Sequence, residues 1–454
     1  MLAKQLSASN RDPIHSNSLD RAARRSCQDS KEPEVQNGLI HSLEIVRARL
    51  AASVVLFSLL ISGCSRLGNE LPVMLYLALV IDQDSMIETA TQADFRRRID
   101  LVVGDYRKIN PNVNVQVALY RRADLIGELQ RRNASDLGPD LVITDAPQAK
   151  QLITAGLTEA LPKTEFKRQH TEESLWERVK LEDGRIAAQP MVIYPQIACF
   201  NRTVVKEPPT TLQALLQEGA AGARVGLPVN FSELLWTSGS LGALQSLGRA
   251  ESGSRTSDED ITAILGWLTW LQRASAQRNI TFFQDQGQLQ NLLKQGELDW
   301  VSCNSNSLIR LGSEMGEKLG VSALPRGPAG APSPVNSVRV LALGANSSAR
   351  QRKVALNLAR FITNPMVQRN LSLQSLAFLP VNPSVALPVK SSKTLATLVQ
   401  SRADSAEHEM ELAQIAHHPE LASIGSQTLV QLVFGTKTPR ASTNSLLEAL
   451  EKQP

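Results

Sequence analysis

Residues capable of acid–base or metal chemistry are sparse in this chain. Its six histidines are His15, His41, His170, His408, His417 and His418. None stands in an H-E-x-x-H array, which would set two ring nitrogens on one helical face. His417 and His418 are adjacent, so on a helix they point to different faces and make a poor metal pair. Neither a G-x-S-x-G elbow nor a glycine-rich phosphate loop occurs. The expectation is no enzyme: no catalytic residue, no metal and no cofactor.

The four cysteines, Cys27, Cys64, Cys199 and Cys303, are too few for a disulfide-stapled scaffold. Cys199 and Cys303 fall in expected strands and read as buried free thiols, since a bridge needs a Cα separation of about 5.5 Å. Cys64 suggests different chemistry. It ends the run VRARLAASVVLFSLLISGC, in which Arg47 and Arg49 precede an apolar stretch from Leu50 to Ile61. That stretch is short for a bilayer, which needs about 20 apolar residues, so it reads as a signal peptide. Ile61-Ser62-Gly63-Cys64 resembles a bacterial lipobox, whose small residues admit the signal peptidase and whose cysteine thiol accepts a diacylglyceryl group. A core helix or simple anchor with a chance cysteine is the competing reading. The polar stretch upstream has no apolar period and is unlike the start of a signal peptide. Translation is therefore expected to begin near Leu39 or Val46.

A chain of 454 residues, 42% hydrophobic and 20% charged, has ordinary globular composition and room for about two or three domains. Its formal charge of +4 is small for that length, so nucleic acid is not an implied partner.

The elements that must position any site follow from periodicity. Pro72 to Ile81 is a continuous apolar run of the kind found in strands covered on both faces. Phe95, Ile99, Val102, Val103 and Tyr106 recur at helical spacing until Asn110-Pro111 stops them. Val113, Val115, Val117 and Leu119 alternate as a strand, Ala123 to Arg132 is an amphipathic helix, and Asp140 to Ile143 is a third strand. The order βαβαβ predicts an α/β fold with a mostly parallel sheet and right-handed crossovers. Asp183-Gly184 marks a turn, and Thr211 caps a helix starting at Leu212. Further helices are expected at Asp258 to Ala276, Gln286 to Gln295 and Ala349 to Thr363, the last broken by Asn364-Pro365. Strands are expected at Leu298 to Cys303, Val321 to Leu324 and Val338 to Leu343, with a helical tail from Ser391 to Leu450.

Several blocks, taken in order, resemble the bacterial extracellular solute-binding proteins that include the maltose-binding protein. They are Pro139-Asp140-Leu-Val-Ile-Thr144 with Gln151 to Leu157, Asp183-Gly184-Arg185-Ile186 through Pro190, Cys199-Phe200-Asn201-Arg202 with Pro208 to Leu212, Leu324-Pro325-Arg326-Gly327-Pro328-Ala329-Gly330, Ala355 to Gln368, Phe378-Leu379-Pro380-Val381, and Gly435 to Leu450. The resemblance implies a two-lobed periplasmic-binding-protein-like fold of type II, with crossing strands as the hinge and a ligand cleft between lobes. Crossings are expected near Pro190 to Ile197, Leu324 to Gly330 and Pro380 to Pro388. The expected organisation is a polar upstream segment (1–45), a lipoprotein signal peptide (46–63), a lipidated tether (64–71), a first lobe (72–195 and 326–380) and a second lobe (196–325 and 384–454).

Ligands in such clefts meet loops at the carboxyl ends of strands. Asp82 and Asp84 could accept hydrogen bonds from hydroxyls or pair with an amine, or serve as a solvated turn. Thr144 and Asp145 follow the third strand, where Asp145 before Ala146-Pro147 is equally a helix cap. Tyr194 offers a flat face and a hydroxyl beside the first crossing. The resemblance adds Asn304, Ser305 and Asn306, which could equally form an ordinary loop, then Asn336 and Ser337, as cleft contacts. Trp236 could stack on a ligand or pack in the core; Trp267, Trp270 and Trp300 read as core. Only 4% of the chain is aromatic, and Ser305-Asn306-Ser307 replaces the family's aromatic block there, so platforms for sugar rings are missing.

The resemblance implies the extracytoplasmic binding component of an ABC importer, a monomer held to the membrane by lipid on Cys64. It would close on a small polar solute, a sugar or polyol before a charged organic solute, and deliver it to permease subunits with their ATPase. A two-lobed sensor or assembly factor without transport is the alternative.

Overall fold

In the computed structural model, residues 71–81, 89–162, 171–418 and 420–451 are described. The signal peptide, Cys64, Asp82 and Asp84 lie outside them. No helix among the described residues is long and apolar enough to cross a membrane.

The apolar run becomes β1 (Val73–Ile81), a central strand. It pairs in parallel with β2 (Val113–Arg121) on one side and β3 (Leu141–Asp145) on the other. Its continuous hydrophobicity follows from that position, since helices cover both faces of such strands. β2 is the sheet edge, which accounts for its alternating, half-exposed side chains. Then come β4 (Thr158–Glu159), β5 (Gln189–Tyr194), β6 (Gln196–Asn201), β7 (Val225–Pro228), β8 (Ile280–Phe283), β9 (Trp300–Asn304), β10 (Leu319–Ser322), β11 (Ser337–Gly344) and β12 (Leu379–Pro380).

Two open sheets result. The first runs β12-β5-β11-β3-β1-β2, with β4 also on β11, and the second runs β10-β6-β9-β7-β8. Parallel pairing holds only for β2-β1-β3 in the first sheet. β11 enters antiparallel between β3 and β5, and β12 is antiparallel to β5. The expectation of a mostly parallel sheet therefore fails beyond three strands. The βαβαβ order governs strands close in sequence and says nothing of one inserted from far downstream.

Two apolar cores support the sheets. One surrounds β1, β3 and β11 and extends to Ile197, Val301 and Leu311 of the second lobe. The other fills the second lobe around Trp236, Trp267 and Trp300, all fully buried, with half-buried Trp270 packed against it. Local signals act as expected. Thr211 Oγ1 accepts the Ala214 N–H at 3.0 Å, and Asn364 caps a helix at Pro365–Ser375. In the Leu324 to Gly330 turn, Gly327 passes so close to Ser240 that a Cβ would lie 2.1 Å from its carbonyl oxygen, which only glycine permits.

The cysteine expectation is overturned. Cys199 and Cys303 form a disulfide with a Cα separation of 5.9 Å. β6 and β9 pair antiparallel with Ile197 opposite Cys303 and Cys199 opposite Val301. The two thiols are thus diagonal neighbours on one sheet face, within bridging reach. That adjacency depends on strand pairing across 104 positions.

Candidate functional site: the interlobe cleft

The chain leaves the first sheet at Tyr194, turns through Pro195, and starts the second sheet at Gln196. The carboxyl edge of β5 therefore faces the second lobe. β3 runs parallel to β5, since each is antiparallel to β11, so its end at Asp145 lies on that same edge. In the second lobe β9 is antiparallel to β6 and ends at Asn304 beside Gln196, while β7 and β8 run parallel to β9 and end on that side. Strand direction alone thus sets two polar rims across one cleft.

On the first rim Tyr194 pairs in register with Ser337, and Asp145 with Arg339. Asp145 is buried and already engaged: it caps the helix Ala146–Thr154 by accepting the Gln148 N–H at 2.8 Å, and it is ion-paired with Arg122. Burial alone would raise its pKa, but the Arg122 charge and hydrogen bond, the Gln148 N–H and the Arg339 charge outweigh that and hold it below the usual carboxylate range. Thr144 is fully buried and donates to Gln148 Oε1 at 2.5 Å. Tyr194 is half-buried and meets Phe378 edge-on, with ring centroids 5.9 Å apart.

On the second rim Asn304 accepts the Asn306 N–H at 3.2 Å, and Ser305 donates its N–H to Pro195 O at 2.9 Å. Ser305 is fully buried, and its Oγ has no partner. Asn336 is buried at the crossing back to β11 and donates to Ser405 Oγ at 2.6 Å, leaving its Oδ1 unpaired. Trp236 is wholly enclosed in the second core, the packed alternative of its two readings. Tyr194 and Asn306 line one common cavity with Arg339.

Sequence reasoning missed three features. Glu233 follows β7 on the rim, only partly exposed to solvent; burial, then the charge of Asp285, pushes its pKa up to about 7. The signal was Asn230, whose side chain caps the short helix Phe231–Leu234 and fixes the turn. Gln196, at the first crossing, is buried and bonds to two other segments: its Nε2 donates to Glu233 O at 2.7 Å in the turn after β7, and its Oε1 accepts the Val335 N–H at 3.1 Å on the way back to β11. Glu409, finally, sits buried between Arg178 and Arg402, at 3.4 and 2.6 Å. Burial would raise its pKa, yet the bond and charge of Arg402, the charge of Arg178 and the Ser174 hydroxyl together lower it.

The profile of the bacterial extracellular solute-binding protein family matches residues 102–398. The chain belongs to that family. Among curated proteins none matches the sequence. Solved structures of this solute-binding fold superpose on it. The GacH receptor of Streptomyces glaucescens, crystallised unliganded and in complex with acarbose, gives a TM-score of 0.64 at 14% identity, covering 84% of this chain and 98% of that one. A solute-binding protein from Thermotoga lettingae bound to α-D-tagatose gives 0.63 at 15%, covering 84% and 99%. The MalE domain from Bdellovibrio bacteriovorus bound to maltotriose gives 0.60 at 17%, also covering 84% and 99%. These likenesses show the two-lobed fold, and the family places the protein outside the cytoplasm. The family and these neighbours are binding proteins. Among the described residues no group of three or more His, Cys, Asp or Glu could hold a metal ion.

Proposed function

We propose that this protein is the lipid-anchored binding component of an ABC importer, held to the membrane through Cys64 and closing its lobes around a small polar solute for delivery to the permease. The observation that carries this reading is the pair of polar rims, Asp145, Tyr194 and Ser337 opposite Glu233, Asn304 and Asn306, facing each other across a hinge at Pro195. Asp82, Asp84, Thr144, Ser305 and Asn336 complete the proposed set, and Trp236 backs the second rim from its core. Closure would follow from a higher solute affinity in the closed state. A sugar or polyol is the favoured cargo, because the proteins of similar structure bind acarbose, tagatose and maltotriose. Hydroxyls suit rims made of amide, hydroxyl and carboxyl groups. Glu233 beside Asp285 supports a second cargo class, an amine.

A thermal-shift screen of residues 65–454 against sugars, polyols, amines and anions tests the proposal. Ligand at 100 times its dissociation constant stabilises the folded state by about 2.7 kcal/mol. If no small solute moves the melting curve, the transport reading is refuted.

A further inference from the structure

Beside the cleft lies a cavity of ≈ 300 Å³ bounded by the first sheet, the helices Thr89–Ile109, Ala349–Ile362 and Pro365–Ser375, and the second-lobe helix Leu308–Met315. Its walls are mainly apolar: Leu77, Leu79 and Ile81 of β1 line it, with Ile309 of the second-lobe helix and Leu358 and Ile362 of the helix Ala349–Ile362, while Arg310, Glu314 and Gln374 add polar groups. Tyr194, Asn306 and Arg339 also line it, so the cavity and the polar rims share residues. Protein interiors are close-packed, with few voids larger than a water molecule. A space of this size matches the lower end of small-molecule sites, about 300–1,000 Å³. The apolar share of the walls suits a bare sugar poorly. Apolar cavities tend to stay dry, and a hydroxyl pressed on leucine and isoleucine loses its hydrogen bonds to solvent without replacement. The shortage of aromatic residues points the same way, because affinity that ring stacking would supply must come from elsewhere.

We propose that this cavity receives an apolar substituent of the solute, so that the cargo is an amphiphile: a polar, hydroxylated head between the rims and an alkyl or aryl group against β1. Tyr194 and Asn306 would meet the junction between the two parts. The inference rests on the solute-binding reading of the cleft.

The test compares methyl and n-octyl β-D-glucoside, the latter below its micellar concentration, with n-octanol as a control, by calorimetry on the full chain. Each buried methylene contributes about 0.8 kcal/mol, or roughly fourfold in affinity. The octyl form should therefore bind at least tenfold tighter than the methyl form and tighter than octanol. Ile309→Trp, which fills the cavity, should abolish the gain and leave methyl glucoside binding unaltered. Met191→Phe intrudes from the opposite wall and serves if the first variant fails to fold. Equal affinity of the two glucosides, or a gain that survives both variants, overturns the proposal while leaving the solute reading intact. Octanol binding as tightly as octyl glucoside, with methyl glucoside unbound, overturns it together with the assignment of the head to the cleft.

Discussion

Glu409→Gln isolates one electrostatic term. Glu409 lies between two guanidinium groups, with side-chain exposures of 4% for Arg178, 5% for Glu409 and 12% for Arg402. Glutamine keeps the volume, so packing changes little. Two buried cations are left facing one another, while Arg402 keeps its pairing with Glu172 at 2.7 Å. Breaking a buried pair in this manner costs about 3–5 kcal/mol, because the remaining charge stays desolvated. The loss is read as a lower urea midpoint at pH 7 with an unaltered slope. Acid gives a second check. The folded pKa of Glu409 is depressed, so its stabilisation is fully present above the unfolded value of about 4.3 and is lost as pH falls through the folded value. The gap between wild type and variant should therefore narrow progressively as pH falls below about 4.3 and close once pH passes the depressed folded value. Equal midpoints at pH 7, or a gap that persists in acid, would refute the argument.

Glu233 titrates in the opposite sense. With a folded pKa of about 7, the native state holds an extra proton between pH 4.3 and 7, and burial of the carboxylate penalises folding increasingly as pH rises. Glu233→Gln is expected to stabilise the solute-free protein by about 1–3 kcal/mol at pH 8 and by about a third of that at pH 5; chemical denaturation at both pH values decides. Cys199→Ala/Cys303→Ala removes a cross-link closing a 104-residue separation. The expected loss is about 2–5 kcal/mol, and thiol alkylation before and after reduction checks that the bridge exists in the wild type.

Local chemistry was legible where a residue's role is settled by its near neighbours. The span Gln286–Gln295 is readable from both ends because Asp285 caps its start and Gly296 closes it in the left-handed region. β1 is readable because burial on both faces leaves no polar interruption. β7 and β8 escaped notice as four-residue strands, too short to show a period. The disulfide, the antiparallel β11 and the Arg178–Glu409 pair, separated by 231 positions, each depend on contacts that no local pattern encodes. Among cleft residues, strand-end logic pointed to Asp145, but its ion pair with Arg122 needed the β2–β1–β3 order to become visible.

In the proposed closure, hydrogen bonds tie the hinge directly to the second rim. Pro195 has no N–H to donate, so the junction between the sheets is held from its other groups. Its carbonyl accepts from Ser305, the Gln196 carbonyl accepts from Ser401 Oγ at 2.6 Å, and the Gln196 side chain binds both Glu233 O and the Val335 N–H. One short segment is thereby fastened to the β9 rim, the Glu233 turn, the return crossing and the helix Lys393–Asp404. Under the proposed closure, a rotation at Pro195 would carry Asn304 to Asn306 and Glu233 together. The second rim would then approach Tyr194 and Asp145 with its own geometry intact, which is what discriminating a solute by shape demands.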